Sequence, residues 1–226
     1  MRRLGGPLGV WRLGVLLLAA GFWAQQFALQ DLADFGWQFR YFEVWALTLG
    51  LAAGALTLRL SLVPDARAPD FLLLVAAAVS ALQAVLFWAF RLSDPSAIGV
   101  GGAAGDPVRI LYLHVLMPAF IWLEAVVLNR TARAAPAAAG WLLMTLAAYV
   151  LWIEGAVAPL NPVPTGAVTS GMPYPFLNDM TQDARALIYA KASVVGLGLI
   201  ALAWWAAERV GDYGASSSSR AASPSR

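Results

Sequence analysis

Long apolar stretches dominate the pattern of the chain and predict membrane-spanning helices. Runs of about 20 mostly apolar residues recur along the sequence, and each is long enough to cross the hydrocarbon core of a bilayer as a helix. They lie near residues 9–29, 41–62, 71–91, 108–128, 137–158 and 186–207. The sequence therefore predicts an all-α fold, a polytopic bundle of six transmembrane helices that forms one domain over residues 1–210.

The arginines indicate the orientation of this bundle. An even number of crossings places both termini on one side of the membrane, and that side collects ten of the fifteen basic residues. Arginine is enriched in cytoplasmic loops of membrane proteins, so both termini are predicted to be cytoplasmic. The serine-rich end of the chain cannot bury apolar surface, and residues 211–226 are predicted to form a disordered cytoplasmic tail.

The first apolar run has a second interpretation. Met1-Arg2-Arg3 followed by an apolar stretch and small residues also has the features of a signal peptide. We favour a retained first helix, because Arg12 interrupts the run and cleavage would leave an odd number of spans. Lys191 is the only lysine among fifteen basic residues and alanine is abundant, which is typical of a high-GC bacterial genome. The predicted location is the bacterial cytoplasmic (inner) membrane.

Composition restricts the chemistry available to such a bundle. Charged residues make up only 12% of the chain, which is about half of the usual fraction in soluble proteins. Zero cysteines exclude thiolate catalysis and iron–sulfur clusters, and a single histidine excludes bis-histidine haem and HExxH metal sites. The net charge of +2 gives no nucleic-acid surface. We therefore predict no cofactor and no metal, membrane lipids or a membrane-protein complex as partners, and no nucleic acid.

Three ionisable side chains in the predicted spans fall at a similar depth. Glu43 lies near the start of the second span, His114 about two turns into the fourth, and Glu154 about one turn before the fifth ends. An ionisable residue in a span costs roughly 2.5–3.5 kcal/mol, so each requires a partner or a function. A mutual cluster in the outer third of the bilayer would lower this cost. The alternative for Glu43 is a salt bridge with Arg40, three residues earlier.

Pro118 adds a polar notch beside His114. Proline has no N–H to donate to the carbonyl of residue 114, four positions earlier, so the helix is predicted to bend there. The freed carbonyl and the imidazole would then form a site for a ligand or a water molecule. The alternative is a structural histidine that bonds to a neighbouring helix.

Arg12, Arg59 and Glu124 occupy the other half of the predicted bundle. Both arginines lie close enough to the cytoplasmic boundary for their guanidinium groups to reach the lipid headgroups. Glu124 lies about 15 Å along the helix axis from His114 and is rotated by roughly 80° from it, so it cannot serve the same site. Glu124 is predicted to face Arg59 or a partner chain.

The connection between the fifth and sixth spans, residues 159–185, is long and rich in proline. Loops of this length without secondary structure are usually functional or disordered. A Tyr-Pro-Phe-Leu segment at residues 174–177 supplies apolar side chains, and the polar Asn178 and Asp179 follow it. We predict that the loop folds over the outer mouth of the bundle as a lid. The alternative is an interfacial loop anchored by its two aromatic rings.

Three segments of the sequence together resemble a known family. They are Arg40-Tyr41-Phe42 at the head of the second span, Leu113-His114-Val115-Leu116-Met117-Pro118 in the fourth, and Gly171-Met172-Pro173-Tyr174-Pro175-Phe176-Leu177 before the sixth. Over residues 10–207 the chain resembles the bacterial predicted-six-transmembrane (Pr6Pr) family, which is similar to the androgen-induced-gene and androgen-dependent membrane hydrolases. The resemblance implies a six-helix fold and, in the animal relatives, hydrolysis of fatty-acid esters of hydroxy fatty acids by an intramembrane threonine and a histidine.

The chain departs from that family at the catalytic threonine. His114 matches the family histidine, but Glu43 stands where the threonine is expected. Thr48, the nearest threonine, lies five residues further along and about 140° round the helix from Glu43. A covalent mechanism needs a hydroxyl within reach of its base. Glu43 would instead orient His114 or activate water, which changes the mechanism.

These observations predict an integral membrane protein with a polar pocket on the outer-leaflet side that binds or processes lipid. The missing threonine favours a non-catalytic or accessory role. The alternative is an intramembrane lipid-ester hydrolase that uses His114 as its base, together with Glu43. A proton-relaying transporter is a third option, which the absence of an internal repeat disfavours. The predicted substrate-binding residues are Arg40, Tyr41, Pro118, Glu154, Tyr174, Phe176, Asn178 and Asp179.

Overall fold

Six long helices form the architecture. A computed structural model of the protein describes residues 6–28, 32–63, 65–67, 70–94, 106–129 and 131–221, with side chains as far as residue 210. The long helices are α1 (Pro7–Ala28), α2 (Phe42–Leu62), α3 (Asp70–Ser93), α4 (Pro107–Leu128), α5 (Ala135–Leu160) and α6 (Gln182–Ala221). Each contains a stretch long and apolar enough to cross a membrane, and each predicted span falls on one of them. The predicted fold class is confirmed.

The last helix extends further than the predicted span. Its backbone is helical through Ala221. The end of α6 therefore does not coincide with residue 211, where the sequence predicts that a disordered tail begins. Residues 222–226 of that predicted tail lie outside the described part of the chain.

Helix α3 lies at the centre of the bundle and contacts α2, α4, α5 and α6. Within its apolar stretch 61% of the residues are buried, compared with 17% in α6. Every residue from Leu73 to Ser80 is buried, and the alanines among them allow the neighbouring helices to approach closely. A helix that is apolar on all sides can lie at the centre of the bundle or at its periphery, because the lipid and the protein interior are similarly apolar. The peripheral helices α1 and α6 therefore keep apolar outer faces.

Among the described residues, three π-helical turns interrupt helices α4 and α5. They are Tyr112–Leu116 and Leu123–Leu128 in α4 and Ile153–Val157 in α5. At the first, the N–H of Met117 reaches the carbonyl of Tyr112, five residues earlier, so the turn is wider than an α-turn. The three turns contain His114, Glu124 and Glu154 respectively. Turns of this kind occur frequently at functional sites, so their coincidence with the three polar residues directs attention to these positions.

A buried ion pair joins α1 to α4 at the end of the bundle that holds the N-terminus. The Nε of Arg12 lies 3.0 Å from Oε1 of Glu124, and its Nη2 lies 2.9 Å from Oε2. Nη1 of Arg12 donates to Ser61 of α2 at 3.1 Å, and the side-chain amide of Asn129 donates to Glu124 at 2.9 Å. The two charged residues are only 5% and 4% exposed. This network ties three helices together.

Two predictions about these charges are therefore wrong. Arg12 does not extend to the lipid headgroups, and Glu124 does not face Arg59, whose side chain is exposed. The physical reason is that α1 packs on α4 along this stretch, where Trp11 also meets Phe120 edge to face. A partner of opposite charge on an adjacent helix stabilises a guanidinium without displacing it to the membrane surface.

The 161–181 loop folds back onto the opposite end of the bundle, and we call it the lid. Its described backbone contains one isolated bridge between Thr165 and Ser170 and a short helix, Pro175–Asn178. The buried Asn161 fixes the start of the lid, because its side chain accepts from the N–H of Phe35 at 2.9 Å and donates to the carbonyl of Phe35 at 3.0 Å. The loop folds over one end of the bundle, as predicted for a lid, and its position at the outer face of the membrane stays a prediction.

Candidate functional site

An apolar cavity lies inside the bundle beneath the lid. Helices α2 to α6 and the lid all contribute side chains to its wall. The cavity has a volume of about 140 Å³, which is comparable with cavities that hold a benzene-sized group. Most of its lining is aliphatic or aromatic, and the polar lining residues are Glu43, Gln83, His114, Tyr149, Tyr174 and Tyr189. An apolar pocket with a few convergent polar groups is the usual form of a small-molecule site.

His114 enters this cavity from the first π-turn of α4. The residue is 6% exposed, and its ring stacks on Phe87 of α3 with the centroids 3.5 Å apart. Its Nδ1 lies 3.1 Å from the carbonyl oxygen of Ile110, and its Nε2 has no hydrogen-bond partner among the described residues. The carbonyl of His114, predicted to be free, instead accepts from the indole of Trp88 at 3.3 Å. One face of the imidazole is therefore fixed by packing, and one ring nitrogen is available.

Glu43 reaches the same cavity from the first turn of α2. Its carboxylate pairs with Arg109 of α4, and the same guanidinium nitrogen donates to the side-chain oxygen of Gln26 at 2.7 Å. Arg109 and Gln26 are both buried. The alternative pairing of Glu43 with Arg40 is wrong, because Arg40 lies in the preceding 3-10 turn and pairs with Asp34. Arg109, in the first turn of α4, thus holds the carboxylate of Glu43 at the cavity wall.

Glu154 belongs to a different environment from the other two predicted cluster members. Its carboxylate binds Arg185 of α6 at 2.8 and 3.0 Å and accepts from the hydroxyl of Tyr189 at 2.7 Å. It lines a second, more polar pocket beside the lid, which we call the vestibule; its other polar lining residues are Asn161, Thr169, Ser170 and Arg185. Neither carboxylate is hydrogen-bonded to His114, whose Nδ1 bonds to Ile110 and whose Nε2 has no partner among the described residues, so the predicted contact that would orient the imidazole is not seen. Glu43 and His114 share the cavity, and Glu154 lies in the vestibule.

Tyr174 holds the lid against the bundle. Its hydroxyl accepts from the backbone N–H of Phe42 at 3.0 Å, in the first turn of α2, where backbone donors lack helical partners. It is also hydrogen-bonded to Tyr149, whose hydroxyl in turn donates to the carbonyl of Arg40 at 3.0 Å. Burial, together with the nearby Glu43 carboxylate, raises the pKa of Tyr174. The Tyr174 hydroxyl thus connects the lid to the first turn of α2 and to Tyr149 of α5.

Replacing Tyr174 with phenylalanine tests this anchor. We expect the free energy of unfolding to fall by about 1–2 kcal/mol, because the Phe42 N–H loses its acceptor while the aromatic packing stays. Tyr41→Phe is the matched control, since the Tyr41 ring meets Tyr174 edge to face and its hydroxyl has no described partner. Chemical unfolding in detergent measures both variants. Equal losses in the two would contradict the assigned role of the Tyr174 hydroxyl.

The other predicted site residues of the lid mainly pack or form hydrogen bonds within the protein. Phe176 lines the cavity and packs on Phe90 of α3, with the ring centroids 4.6 Å apart. Asn178 is fully buried, and its side chain exchanges two hydrogen bonds with the backbone of Met172 inside the lid. Asp179 accepts from the backbone N–H of Ala167. Of these residues, only Phe176 lines the cavity.

Arg40, Tyr41 and Pro118 likewise lie outside the lining of the cavity. Arg40 places its guanidinium over the Tyr41 ring, 5.0 Å from the centroid, beside the start of α2. Pro118 is buried in α4 immediately after the first π-turn. These residues shape the surroundings of the cavity, whereas its polar wall comes from other side chains.

Sequence reasoning missed polar residues of the cavity wall, among them Gln83 and Tyr149, and the arginine that pairs with Glu43. Arg109, Gln83 and Tyr149 lie in the spans or at their ends, and none was singled out. Gln83 of α3 is 6% exposed, and its Oε1 has no partner among the described atoms. A usable signal was present for Gln83, because a buried amide within an otherwise apolar span requires a partner. Arg109 could be paired with Glu43 only once the helix rotations were known.

The chemistry of this site is that of a base without a hydroxyl nucleophile. None of the described residues that line the cavity is a serine or a threonine. Thr48 lies elsewhere, where it accepts from the Trp23 indole at 3.0 Å and donates to the carbonyl of Val44 at 2.7 Å. Within the described ranges no group of three or more metal-ligating side chains occurs. The arrangement can bind an apolar group and accept a proton or a hydrogen bond at His114.

The fold and this site define a polytopic membrane protein of six helices with an internal, lid-covered apolar cavity. The chain matches the family described as FAR-17a/AIG1-like protein over residues 10–207 and belongs to that family. The predicted resemblance to the androgen-induced-gene family is thereby confirmed. No curated protein matches the chain. No solved structure matches it either.

Proposed function

We propose that this protein binds a membrane lipid by taking part of an acyl chain into the cavity, in a non-catalytic or accessory role. The observation that carries the proposal is an apolar cavity whose wall includes a buried imidazole nitrogen with no partner among the described residues. With both termini in the cytoplasm, as the arginines predict, the cavity and its lid lie in the outer-leaflet half of a bacterial inner membrane. A lipid can then enter directly from the bilayer.

Hydrolysis of a lipid ester is the second candidate. It is favoured by the free Nε2 of His114, which could act as a general base toward water, and by the carboxylate of Glu43 in the same cavity wall. No serine or threonine is among the described lining residues, which argues against a covalent acyl intermediate of the kind that the family resemblance implies. Hydrolysis would then rely on direct attack by water, and we therefore rank the hydrolase below lipid binding.

Filling the cavity tests the proposal. Ala192 of α6 lines the cavity, and Ala190 on the same helix is exposed on its outer face. In native mass spectrometry of detergent-purified protein, we expect the wild type and Ala190→Phe to retain lipid. Ala192→Phe should retain several-fold less, because the ring occupies the space of the chain. Lipid-free wild-type protein, or equal retention in both variants, would contradict the proposal.

A hydrolysis assay separates the two candidates. Purified protein is incubated with a fatty-acid ester of a hydroxy fatty acid, and released fatty acid is measured for the wild type, His114→Phe and Glu43→Gln. The proposal expects no release above the protein-free control in any sample. Release by the wild type that both substitutions abolish would establish the hydrolase instead. Size-exclusion chromatography of mildly solubilised membranes tests the accessory role, which predicts co-migration with a second membrane protein.

A further inference from the structure

The ring of His114 presents a defined nitrogen to the cavity. Its Nδ1 lies 3.1 Å from the carbonyl oxygen of Ile110, and a carbonyl oxygen can only accept. The proton of a neutral imidazole therefore sits on Nδ1, and Nε2 carries a lone pair. Burial among apolar side chains disfavours the charged form, in which both nitrogens would carry protons. The group facing the cavity at this point is thus a hydrogen-bond acceptor.

A second buried acceptor belongs to the same cavity. The Oε1 of Gln83 has no partner among the described residues, and Gln83 is 6% exposed, as is His114. A buried polar atom without a hydrogen bond lowers the stability of the fold by about 1–3 kcal/mol. Two such acceptors in one cavity therefore favour a ligand that donates a hydrogen bond. Both atoms lie in side chains that line the same space, on adjacent helices α3 and α4.

The tyrosine hydroxyls around the cavity cannot supply these protons. Tyr149 donates to the carbonyl of Arg40, and Tyr189 donates to Glu154. The hydroxyl of Tyr174 is used by the Phe42 N–H and by Tyr149. The carboxylate of Glu43 is itself an acceptor and is paired with Arg109. None of these four side chains therefore donates to Nε2 of His114, and a hydroxyl group on the occupant of the cavity would supply that proton.

We infer that the cavity selects an aliphatic ligand that carries a hydroxyl group over an otherwise equal ligand that carries only an ether or ester oxygen. The hydroxyl donates to Nε2 of His114, next to Gln83, while the chain fills the apolar remainder. This inference rests on the proposed lipid-binding function and adds the chemical class of the ligand. Ether and ester oxygens are acceptors only, and would leave Nε2 of His114 without a donor.

The single histidine of the chain makes the inference directly testable. In protein labelled with nitrogen-15 only in histidine imidazole, NMR observes His114 alone. We expect Nδ1 to be protonated and Nε2 bare in the unliganded protein. Dodecanol should shift the Nε2 resonance, whereas undecyl methyl ether, its isomer, should shift it only at concentrations about tenfold higher. A proton on Nε2 in the unliganded protein would overturn the inference.

A competition experiment distinguishes failure of the inference from failure of the proposed function. A long-chain alcohol bearing a diazirine is crosslinked to the protein in detergent, and dodecanol and the ether compete with it. In the wild type and in the exposed control Ala190→Phe, dodecanol should compete about tenfold better than the ether. His114→Phe should make the two competitors equal, and Gln83→Leu should reduce the preference.

Equal competition by dodecanol and the ether in the wild type would overturn the selectivity for a hydroxyl while leaving lipid binding intact. Absence of specific crosslinking, with no competition by either compound, would overturn lipid binding itself. If His114→Phe fails to fold, the wild-type NMR titration still decides the question, because it needs no substitution.

Discussion

Replacing Glu124 with alanine is expected to lower the free energy of unfolding by about 3–5 kcal/mol. The substitution leaves the guanidinium of Arg12 buried, with its bidentate partner removed and only Ser61 as a described acceptor. Removing one member of a buried ion pair has this cost because the remaining charge is neither hydrated nor paired. Unfolding by denaturant in mixed micelles, followed by tryptophan fluorescence, measures the loss.

Two further variants separate the charge effect from simple loss of packing. Glu208→Ala removes an exposed carboxylate from α6 and should change stability by less than about 0.5 kcal/mol. The double variant Arg12→Leu, Glu124→Leu replaces the whole pair with apolar side chains and should recover much of the stability lost by Glu124→Ala. If the double variant is as unstable as Glu124→Ala, the loss of stability does not come from an unpaired charge on Arg12, and the explanation by a buried, unpaired charge is contradicted.

Substitution of Gly171 by alanine should release the lid. Gly171 has a φ of +82°, a conformation that side chains with a Cβ rarely adopt. A Cβ at this position would also collide with the backbone carbonyl oxygens of Ala158 and Asn161. We expect a loss of about 2–3 kcal/mol from backbone strain, and more where the overlap cannot relax. Thermal unfolding together with limited proteolysis of residues 161–181 provides the measurement.

Gly198→Ala is the control for this lid variant. A Cβ built on Gly198 of α6 meets nothing within 4 Å, so alanine there should be neutral or stabilise the helix by up to about 1 kcal/mol. Faster cleavage of residues 161–181 in Gly171→Ala, with wild-type cleavage in Gly198→Ala, would support the strained anchor. Unchanged cleavage in Gly171→Ala would show that the lid tolerates a Cβ at this position.

The length of the apolar runs was sufficient to predict the fold, because the bilayer imposes one requirement on every span. Backbone groups in lipid must be satisfied within the helix, so a sufficiently long apolar run has one stable structure. The returning loop was also accessible, since the aromatic residues among the prolines at 173–177 require apolar surroundings. The positions of Glu43 and His114 in one cavity followed from their similar depth. For Glu43 and His114, the distance of each residue along its helix axis was sufficient to predict that both lie at the same level of the bundle.

The ion-pair partners were not accessible, because they depend on helix rotation. The depth of Glu43 is compatible with Arg40 and with Arg109, and only the packing of α2 against α1 and α4 selects Arg109. Wide π-turns add a residue to the local repeat, so a regular spacing of 3.6 residues per turn misplaces the faces of α4 and α5 beyond each of them. The error in the partner assigned to Glu124 has the same origin.

The interior of this protein contains two compartments of opposite polarity that are almost in contact. The vestibule carries the carboxylate of Glu154, the cavity contains the ring of Tyr189, and the hydrogen bond between these two side chains spans the division. The change from the polar pocket to the apolar one thus occurs at one phenol–carboxylate hydrogen bond. A movement of α6 that separates Tyr189 from Glu154 would open the cavity to the vestibule and let water reach His114. The Tyr189–Glu154 hydrogen bond therefore keeps water out of the apolar cavity.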